Sequence, residues 1–220
     1  MRPSMLSLKI VYNLFINKEG ITITKEGITI KNLASNIKTD YKNTYNAVEK
    51  LFKAGVIQKK KVGYYNICKL NYFNENIVQF LKEYNFYIRL TEFKKKYPVE
   101  YSIIIEACQR FISQEMMTPF FVCLVFGSYA KSEEKKESDI DILFLGSINV
   151  GFKSVLNKAN APYQKKFHIV EQDVNDFIMD LENKNKVSLA TELYKYPPIV
   201  FYGDDIFFRM MVEDRKQWQS

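Results

Sequence analysis

The sequence predicts an α+β protein made of two parts, and two observations lead to this prediction. The first is an uneven charge distribution: residues 1–99 carry a net charge of +11 and residues 100–220 carry −4. The second is a change of hydrophobic pattern. Helical spacing dominates the first part, whereas short apolar runs of the kind found in buried strands alternate with helical segments in the second. With 220 residues, 47% of them hydrophobic, the chain can form more than one core.

Composition excludes several classes of protein. Three scattered cysteines and a single histidine offer neither a disulfide framework nor the spacing of a zinc site. The longest apolar run near the middle, residues 119–126, is too short to span a bilayer. The N-terminus lacks the apolar segment of a signal peptide. We therefore expect a reduced, cytoplasmic protein with no membrane partner.

The first part of the chain predicts helices, a turn and a hairpin. A hexapeptide, Lys-Glu-Gly-Ile-Thr-Ile, begins at Lys18 and again at Lys25, and it predicts a small hairpin or a loop followed by a strand. Thr39 or Asp40 is a candidate cap for the helix that follows, and Gly55 is its stop signal. The predicted elements are helices over residues 5–17, 30–37 and 40–54, and strands over 56–58 and 64–68.

That order of elements is the order of a winged helix-turn-helix domain. Residues 29–67, TIKNLASNIKTDYKNTYNAVEKLFKAGVIQKKKVGYYNI, resemble the winged-helix domains of prokaryotic transcription regulators. The resemblance implies that the longer helix enters a groove of double-stranded DNA or RNA and that the hairpin tip contacts the backbone. The candidate contact residues are Lys42, Asn43, Asn46, Lys50, Lys53, Lys59, Lys60 and Lys61.

Two alternatives remain for this part of the chain. The lysines can be an ordinary solvated surface, and the domain can be a protein-interaction or homodimer module. The tyrosines Tyr41, Tyr45, Tyr64 and Tyr65 are expected in the core or in an interface rather than stacked on bases. We place the winged-helix domain at residues 1–70 and a helical connector at 71–98.

The remainder of the chain, residues 99–220, predicts a small mixed-sheet α/β domain. Each apolar run bounded by glycine, aspartate or a polar loop is interpreted as a strand. Each segment whose apolar residues recur at helical spacing is interpreted as a helix. The predicted helices are residues 99–116, 152–160, 174–184 and 189–196, and the predicted strands are residues 120–126, 140–145, 167–170 and 199–202.

One segment of this domain carries residues suited to phosphate and metal chemistry. Gly127 and Ser128 follow an apolar strand, and Asp139 and Asp141 begin the next one. Two aspartates at i and i+2 on a strand project from the same face. Their mutual repulsion makes it unfavourable for both to be ionised unless a cation binds them. Mg²⁺ suits paired carboxylates together with substrate phosphates. A glycine permits close backbone approach and a serine adds a hydroxyl donor.

The segment resembles the signature of DNA polymerase beta-like nucleotidyltransferases. That signature is Gly-Ser, about ten residues, then Asp-x-Asp, and it is closest here to the minimal archaeal and bacterial members. The resemblance implies that Asp139 and Asp141 are catalytic ligands of Mg²⁺ or Mn²⁺, and that Gly127, Ser128 and Ser138 bind the NTP. One departure is Ser132, where the family usually has glycine.

The family's third carboxylate has no clear counterpart. It is expected on a later strand between apolar residues, and His168 occupies that position. Glu171 and Asp173 are nearby but out of simple register. His168 is therefore either a substitute base or a structural residue, and we favour the structural role; Glu171 is the other candidate for the third position.

Two functions follow from the resemblance. The first is a metal-dependent nucleotidyltransferase that moves a nucleoside monophosphate to an acceptor, either a protein, an RNA end or a small molecule. The alternative is a DNA-binding transcriptional regulator whose transferase-like domain senses nucleotide. A pairing with a small helical partner protein is a third option, because minimal members often work with one.

Overall fold

The computed structural model describes residues 3–16, 27–114, 120–146, 151–183 and 188–217. The first copy of the hexapeptide and the end of the helix predicted over residues 99–116 lie outside this range. The chain divides into two compact units. The first contains the described residues up to Tyr84 together with those after Met210, and the second is Asn85–Met210. The first boundary thus falls inside the predicted connector.

The first unit has the predicted succession of helices and an antiparallel hairpin. Its sheet has the strand order β1-β3-β2, with both pairs antiparallel. The elements are α1 (Met5–Ile16), β1 (Ile28–Thr29), α2 (Ile30–Asn36), α3 (Tyr41–Lys53), β2 (Ile57–Val62), β3 (Tyr65–Leu70) and α4 (Ile77–Tyr84).

Helix α3 begins where the sequence predicts, but its buried face differs from the prediction. Asp40 is the N-cap, and its carboxylate accepts a hydrogen bond from the backbone N–H of Asn43 at 2.8 Å. The buried side chains are Thr44, Ala47, Val48 and Leu51. Thr44 can be buried because its hydroxyl donates to the Asp40 carbonyl at 2.8 Å. Tyr41 and Tyr45, expected in the core or in an interface, are exposed, so they do not lie in the core, and the interface position stays a prediction.

The hairpin differs from the prediction in the position of its lysines. Lys59, Lys60 and Lys61 were expected at the tip, but all three lie within β2. The turn is instead formed by Gly63 and Tyr64, between the paired residues Val62 and Tyr65. Gly63 has φ +58°, a left-handed conformation that glycine adopts without strain and that tight hairpin turns require.

The second unit is a mixed four-stranded sheet with helices around it, which confirms the predicted α+β class. The sheet order is β6-β5-β4-β7; β4 is antiparallel to β5 and β7, and β5 is parallel to β6. The elements begin with a π-helix (Asn85–Leu90) and continue with α5 (Thr91–Lys96), α6 (Pro98–Gln114), β4 (Val122–Phe126), α7 (Gly127–Lys131), β5 (Ile140–Leu145), α8 (Phe152–Asn160), β6 (Phe167–Gln172), α9 (Val174–Glu182), α10 (Leu189–Lys195) and β7 (Ile199–Tyr202). A helix that the sequence did not predict, α11 (Asp204–Lys216), ends the described chain.

The core of the second unit fixes the strands that carry the site. All five residues of β4 are buried, which is expected of a central strand. Ile140, Ile142 and Phe144 of β5 belong to a core cluster that also contains residues of α6 and α8. Residues 139, 141 and 143 project to the other face of the sheet. No helix among the described residues is long and apolar enough to cross a membrane.

Candidate active site

The site is located where β4 ends and β5 begins. In the antiparallel pairing of these strands, Phe126 lies opposite Asp141, so Gly127 follows directly beside the aspartate. Gly127 has φ +67°, and a Cβ built on it would lie 2.2 Å from Asp141 Oδ2. Any side chain at this position would therefore collide with the carboxylate. The glycine–serine turn and the aspartate strand are close together because residue 127 has no side chain.

A second neighbour of Asp141 comes from the parallel strand on the other side. His168 of β6 is the register partner of Asp141, and its Nδ1 lies 3.1 Å from Asp141 Oδ1. The side chain of Asp141 is 28% exposed and that of His168 is 62% exposed. The two side chains thus share the face of the sheet that Ile140 and Ile142 do not use; both are accessible to solvent, whereas Leu143 further along that face is buried.

Asp139 stands two residues before Asp141 and precedes the first residue of β5. It is exposed, and alternation along the strand places it on the face of Asp141. Burial raises the pKa of the Tyr129 phenol, and the carboxylates of Glu100, Glu134 and Asp139 raise it further.

Ser128 and Ser138 occupy the two ends of the loop between the strands. Ser128 is half-buried on α7, and its carbonyl accepts a hydrogen bond from the Glu133 N–H at 2.9 Å. The Ser138 hydroxyl accepts from the Lys135 N–H at 2.9 Å. In this structure Ser138 shapes the loop that leads to Asp139; its predicted contact with nucleotide stays a prediction.

Glu171 and Asp173 are engaged elsewhere. Glu171 lies three residues beyond His168 and so projects from the opposite face of β6. Its carboxylate accepts from the Lys153 N–H at 2.9 Å, in the first turn of α8. Asp173 is the N-cap of α9 and accepts from the Asn175 N–H. The structure brings His168 to Asp141 and does not bring Glu171 there.

Lys131 is a charged residue of this region to which the sequence analysis assigned no role. It lies three residues after Ser128 on α7, so the two side chains are on neighbouring parts of the helix surface. Its Nζ is 3.2 Å from Glu192 Oε1 and 3.9 Å from the centre of the Tyr196 ring. The sequence signal for Lys131 is a basic residue three positions after the Gly-Ser pair.

The carboxylates present fit a divalent cation that is shared with a substrate. Asp139 and Asp141 offer hard oxygen ligands on one face, and Mg²⁺ usually binds one or two carboxylates together with phosphates and water. Within the described ranges, no three His, Cys, Asp or Glu side chains are grouped as a metal site.

Comparison with known families found one match in this region. Residues 123–197 match the family model for the nucleotidyltransferase domain. The matched range includes Gly127, Ser128, Asp139, Asp141 and His168. It covers about a third of the chain and supports nucleotidyl transfer as the general activity. No curated protein and no solved structure matches the chain significantly.

The predicted nucleic-acid contacts all lie in the first unit. Lys42, Asn46, Lys50 and Lys53 are exposed on α3. The amide of Asn43 is engaged, because its Nδ2 donates to Asp40 Oδ2 at 2.6 Å. On the hairpin, Lys60 and Lys61 are exposed, and Lys59 is half-buried and paired with Glu49.

Proposed function

We propose that the second unit transfers a nucleoside monophosphate from an NTP to an acceptor hydroxyl, with Mg²⁺ or Mn²⁺ as the metal. The observation that carries this proposal is the close approach of Gly127 to the Asp141 carboxylate. This close approach puts a turn that can bind phosphate beside a carboxylate that can bind a cation. The family match over residues 123–197 supports the same chemistry.

The turn would bind the triphosphate. Gly127 leaves the backbone uncovered, so a phosphate can approach it closely. The hydroxyl of Ser128 can donate a hydrogen bond to a phosphate oxygen. Lys131, on the same short helix, adds positive charge to the region, although Glu192 already balances part of it. These groups would hold the nucleotide and orient its α-phosphorus.

The aspartates would hold the metal. Asp139 and Asp141 are its ligands, and the bound ion would neutralise charge on the phosphates and on the leaving pyrophosphate. In the transfer, the acceptor oxygen forms a bond to the α-phosphorus while the bond from that phosphorus to the bridging oxygen breaks. The hydroxyl proton passes to a base or to water, and pyrophosphate leaves. The sheet holds Asp141 in place through both neighbouring strands.

His168 would orient Asp141. Its Nδ1 at 3.1 Å from Oδ1 restricts rotation of the carboxylate and leaves Oδ2 directed towards Gly127. This positioning role agrees with the structural function favoured from the sequence. A histidine in this role also supplies no third carboxylate to activate the acceptor.

That substitution favours a second candidate function. Glu171 and Asp173 cap helices, so neither replaces the missing carboxylate. A domain that binds nucleotide but turns it over slowly or not at all would suit a transcriptional regulator with a nucleic-acid-binding first unit. In this alternative the exposed lysines of α3 and β2 contact nucleic acid, and the nucleotide is a signal.

A thermal-shift titration tests the nucleotide site without knowledge of the acceptor. Each NTP is added with and without Mg²⁺ to the wild type, to Asp139→Asn and to Asp176→Asn, a matched change of an exposed aspartate on α9. A ligand at a hundred times its Kd stabilises the native state by about 2.7 kcal/mol. We expect a metal-dependent rise in the wild type and in Asp176→Asn that is lost in Asp139→Asn. No rise with any NTP would refute the nucleotide site.

A transfer assay separates the two candidates. An NTP labelled at the α-phosphate is incubated with the protein, Mg²⁺ and candidate acceptors, and label in the product and release of pyrophosphate are measured. Transfer that disappears in Asp141→Asn supports the enzyme. Nucleotide binding with no transfer to protein, RNA or small hydroxyl compounds supports the sensing function.

A further inference from the structure

The first unit exposes aromatic side chains beside lysines on one surface. We call this surface the tyrosine–lysine surface and define it by Tyr41, Tyr45 and Phe52 on α3 and by Lys59, Lys61 and Tyr64 on the hairpin. Tyr41 is 54% exposed, Phe52 is 42% exposed and Tyr64 is fully exposed. Exposed aromatic rings in such number mark a binding surface, because their apolar faces gain from contact with a partner.

The rings on α3 form a row along one flank of the helix. Tyr41 and Tyr45 are stacked, with ring centres 6.1 Å apart and an angle of 29° between the ring planes. Phe52 lies two turns further on, and the Nζ of Lys59 lies 4.3 Å from the centre of its ring. Lys59 also pairs with Glu49. These contacts connect the row on α3 with the lysines of β2.

The lysines determine the class of partner. A second copy of this chain would bring lysines against lysines, which is unfavourable for a symmetric interface. The nearby carboxylates offset only part of this charge, because Asp40 caps α3 and Glu49 pairs with Lys59, whereas Lys53 and Lys61 are exposed. Hydrogen bonds lower the pKa of both carboxyls, from Asn43 to Asp40 and from Lys59 to Glu49. A polyanion satisfies the lysines instead.

The rings determine the form of the polyanion. In a duplex the base faces are covered by stacking, and the base edges are read by groups that reach into a groove. Tyrosine rings on a protein surface can stack only on unpaired bases, whose faces are free. We infer that the tyrosine–lysine surface binds single-stranded nucleic acid, with bases stacked on Tyr41, Tyr45 and Tyr64 and phosphates beside the lysines.

This inference rests on the proposed nucleic-acid binding of the first unit and not on nucleotidyl transfer. The test uses the full-length protein and fluorescence anisotropy with three labelled probes of about 20 nucleotides, longer than common single-strand site sizes. The probes are a mixed-sequence DNA strand, the same strand in a duplex, and a strand with the same number of phosphates but without bases. All three are measured at the same salt concentration.

We expect the single strand to bind more tightly than the duplex and the abasic strand. Stacking contributes about 1–3 kcal/mol per base and two rings are removed, so Tyr41→Ala with Tyr45→Ala should weaken binding of the single strand at least about thirtyfold. The same change should leave the abasic strand unaffected, and Tyr41→Phe with Tyr45→Phe should retain affinity because phenylalanine also stacks. Tyr64→Ala is a second variant, and Tyr163→Ala in the other unit is the matched control.

Three results would overturn the inference. The duplex could bind as tightly as the single strand, or the alanine variants could bind the single strand as the wild type does. Alternatively, the alanine variants could change the oligomeric state measured by light scattering with no change in nucleic-acid affinity, which would identify an interface between copies. The NTP thermal shift is also measured on the same variants. It distinguishes a failure of the proposed nucleotide site from each of these three results.

Discussion

At the scale of single residues, Gly127 is the position where the turn and the aspartate strand meet. Its φ of +67° disfavours any L-residue, and its missing Cβ leaves space for Asp141 Oδ2. Gly63 provides an internal comparison, because it has a similar φ of +58° and no atom within 4 Å of a built Cβ. The two glycines therefore share the backbone requirement but not the contact with a carboxylate.

We predict that Gly127→Ala destabilises the protein more than Gly63→Ala and abolishes Mg²⁺-dependent stabilisation by NTP. The left-handed backbone alone costs about 1–2 kcal/mol for alanine, and both variants incur it. Only Gly127→Ala adds a collision that displaces Asp141. Urea unfolding and the NTP thermal shift measure the two effects. Equal losses of stability in both variants, with nucleotide binding retained, would contradict the site geometry.

Ser132 gives a structural reason for the expectation of glycine at the end of α7. It has φ +59° and ψ +36°, a left-handed conformation at the C-cap of the helix. This is the conformation for which helix ends commonly use glycine. The departure noted in the sequence is therefore a local backbone strain and not a loss of a functional group.

We predict that Ser132→Gly stabilises the protein by about 0.5–1 kcal/mol, since relief of the left-handed strain outweighs the greater chain entropy of glycine. Ser132→Ala keeps the Cβ and should give no gain, so it separates the backbone effect from loss of the hydroxyl. The free energies of unfolding in urea decide between them. A Ser132→Gly protein that is less stable than the wild type would show that the hydroxyl matters more than the backbone.

At the scale of secondary-structure elements, a side chain forms hydrogen bonds with the backbone of the edge strand β7. Asn85, the first residue of the π-helix, accepts from the Val200 N–H at 3.1 Å and donates to the Val200 carbonyl at 2.8 Å. Both residues are buried. One amide thus replaces the two hydrogen bonds that a further strand would have made.

We predict that Asn85→Leu destabilises the second unit by about 2–5 kcal/mol, because each unpaired buried backbone group costs about 1–3 kcal/mol. Leucine has a similar size, so packing changes little. Asn175→Leu, an exposed change on α9, is the control and should alter stability by no more than about 0.5 kcal/mol. Chemical denaturation measures both. A small effect of Asn85→Leu would mean that water reaches Val200.

Elements whose signal is local could be predicted from the sequence. Strands β5 and β7 and helix α8 have the predicted bounds, because each is an apolar or periodic run between clear stop signals. The residues of the candidate site could also be chosen from the sequence, since Gly127, Ser128, Asp139 and Asp141 occupy one short stretch of chain; their roles stay predictions. The resemblance placed His168 at the position of the family's third carboxylate, and the parallel pairing of β5 with β6 brings it beside Asp141.

Features that depend on distant partners could not be predicted. The role of Asn85 requires Val200, which lies 115 residues away. The sequence could not decide between a core and an interface position for Tyr41 and Tyr45, because tyrosine has an apolar ring and because the buried position belongs to Thr44, whose hydroxyl is satisfied within the helix. Helix α11 was not predicted because Gly203, directly before it, was interpreted as the turn that follows the last strand.

At the scale of the whole molecule, the two parts of the chain have net charges of opposite sign and are proposed to bind different ligands. Residues 1–99 carry +11, and the exposed lysines of α3 and β2 belong to this part. Residues 100–220 carry −4 and contain the carboxylates proposed to hold a cation. A nucleic acid and a metal–nucleotide complex would thus be bound by different parts of the chain. The residues proposed to bind nucleic acid can therefore be mutated without changing those proposed to bind the metal–nucleotide complex, and the reverse.

The salt dependence of nucleic-acid binding tests this separation. Each lysine that contacts a phosphate contributes about 0.7–0.9 to the slope of log K against log salt concentration. We predict that changing Lys59, Lys60 and Lys61 together to glutamine lowers the slope by about 2–3 and leaves the NTP thermal shift unchanged, because the aspartate site is in the other unit. Changing Lys135 and Lys136, two exposed lysines of the second unit, to glutamine is the control. An unchanged slope in the β2 variant, or the same loss in the control, would show that nucleic acid does not contact the hairpin.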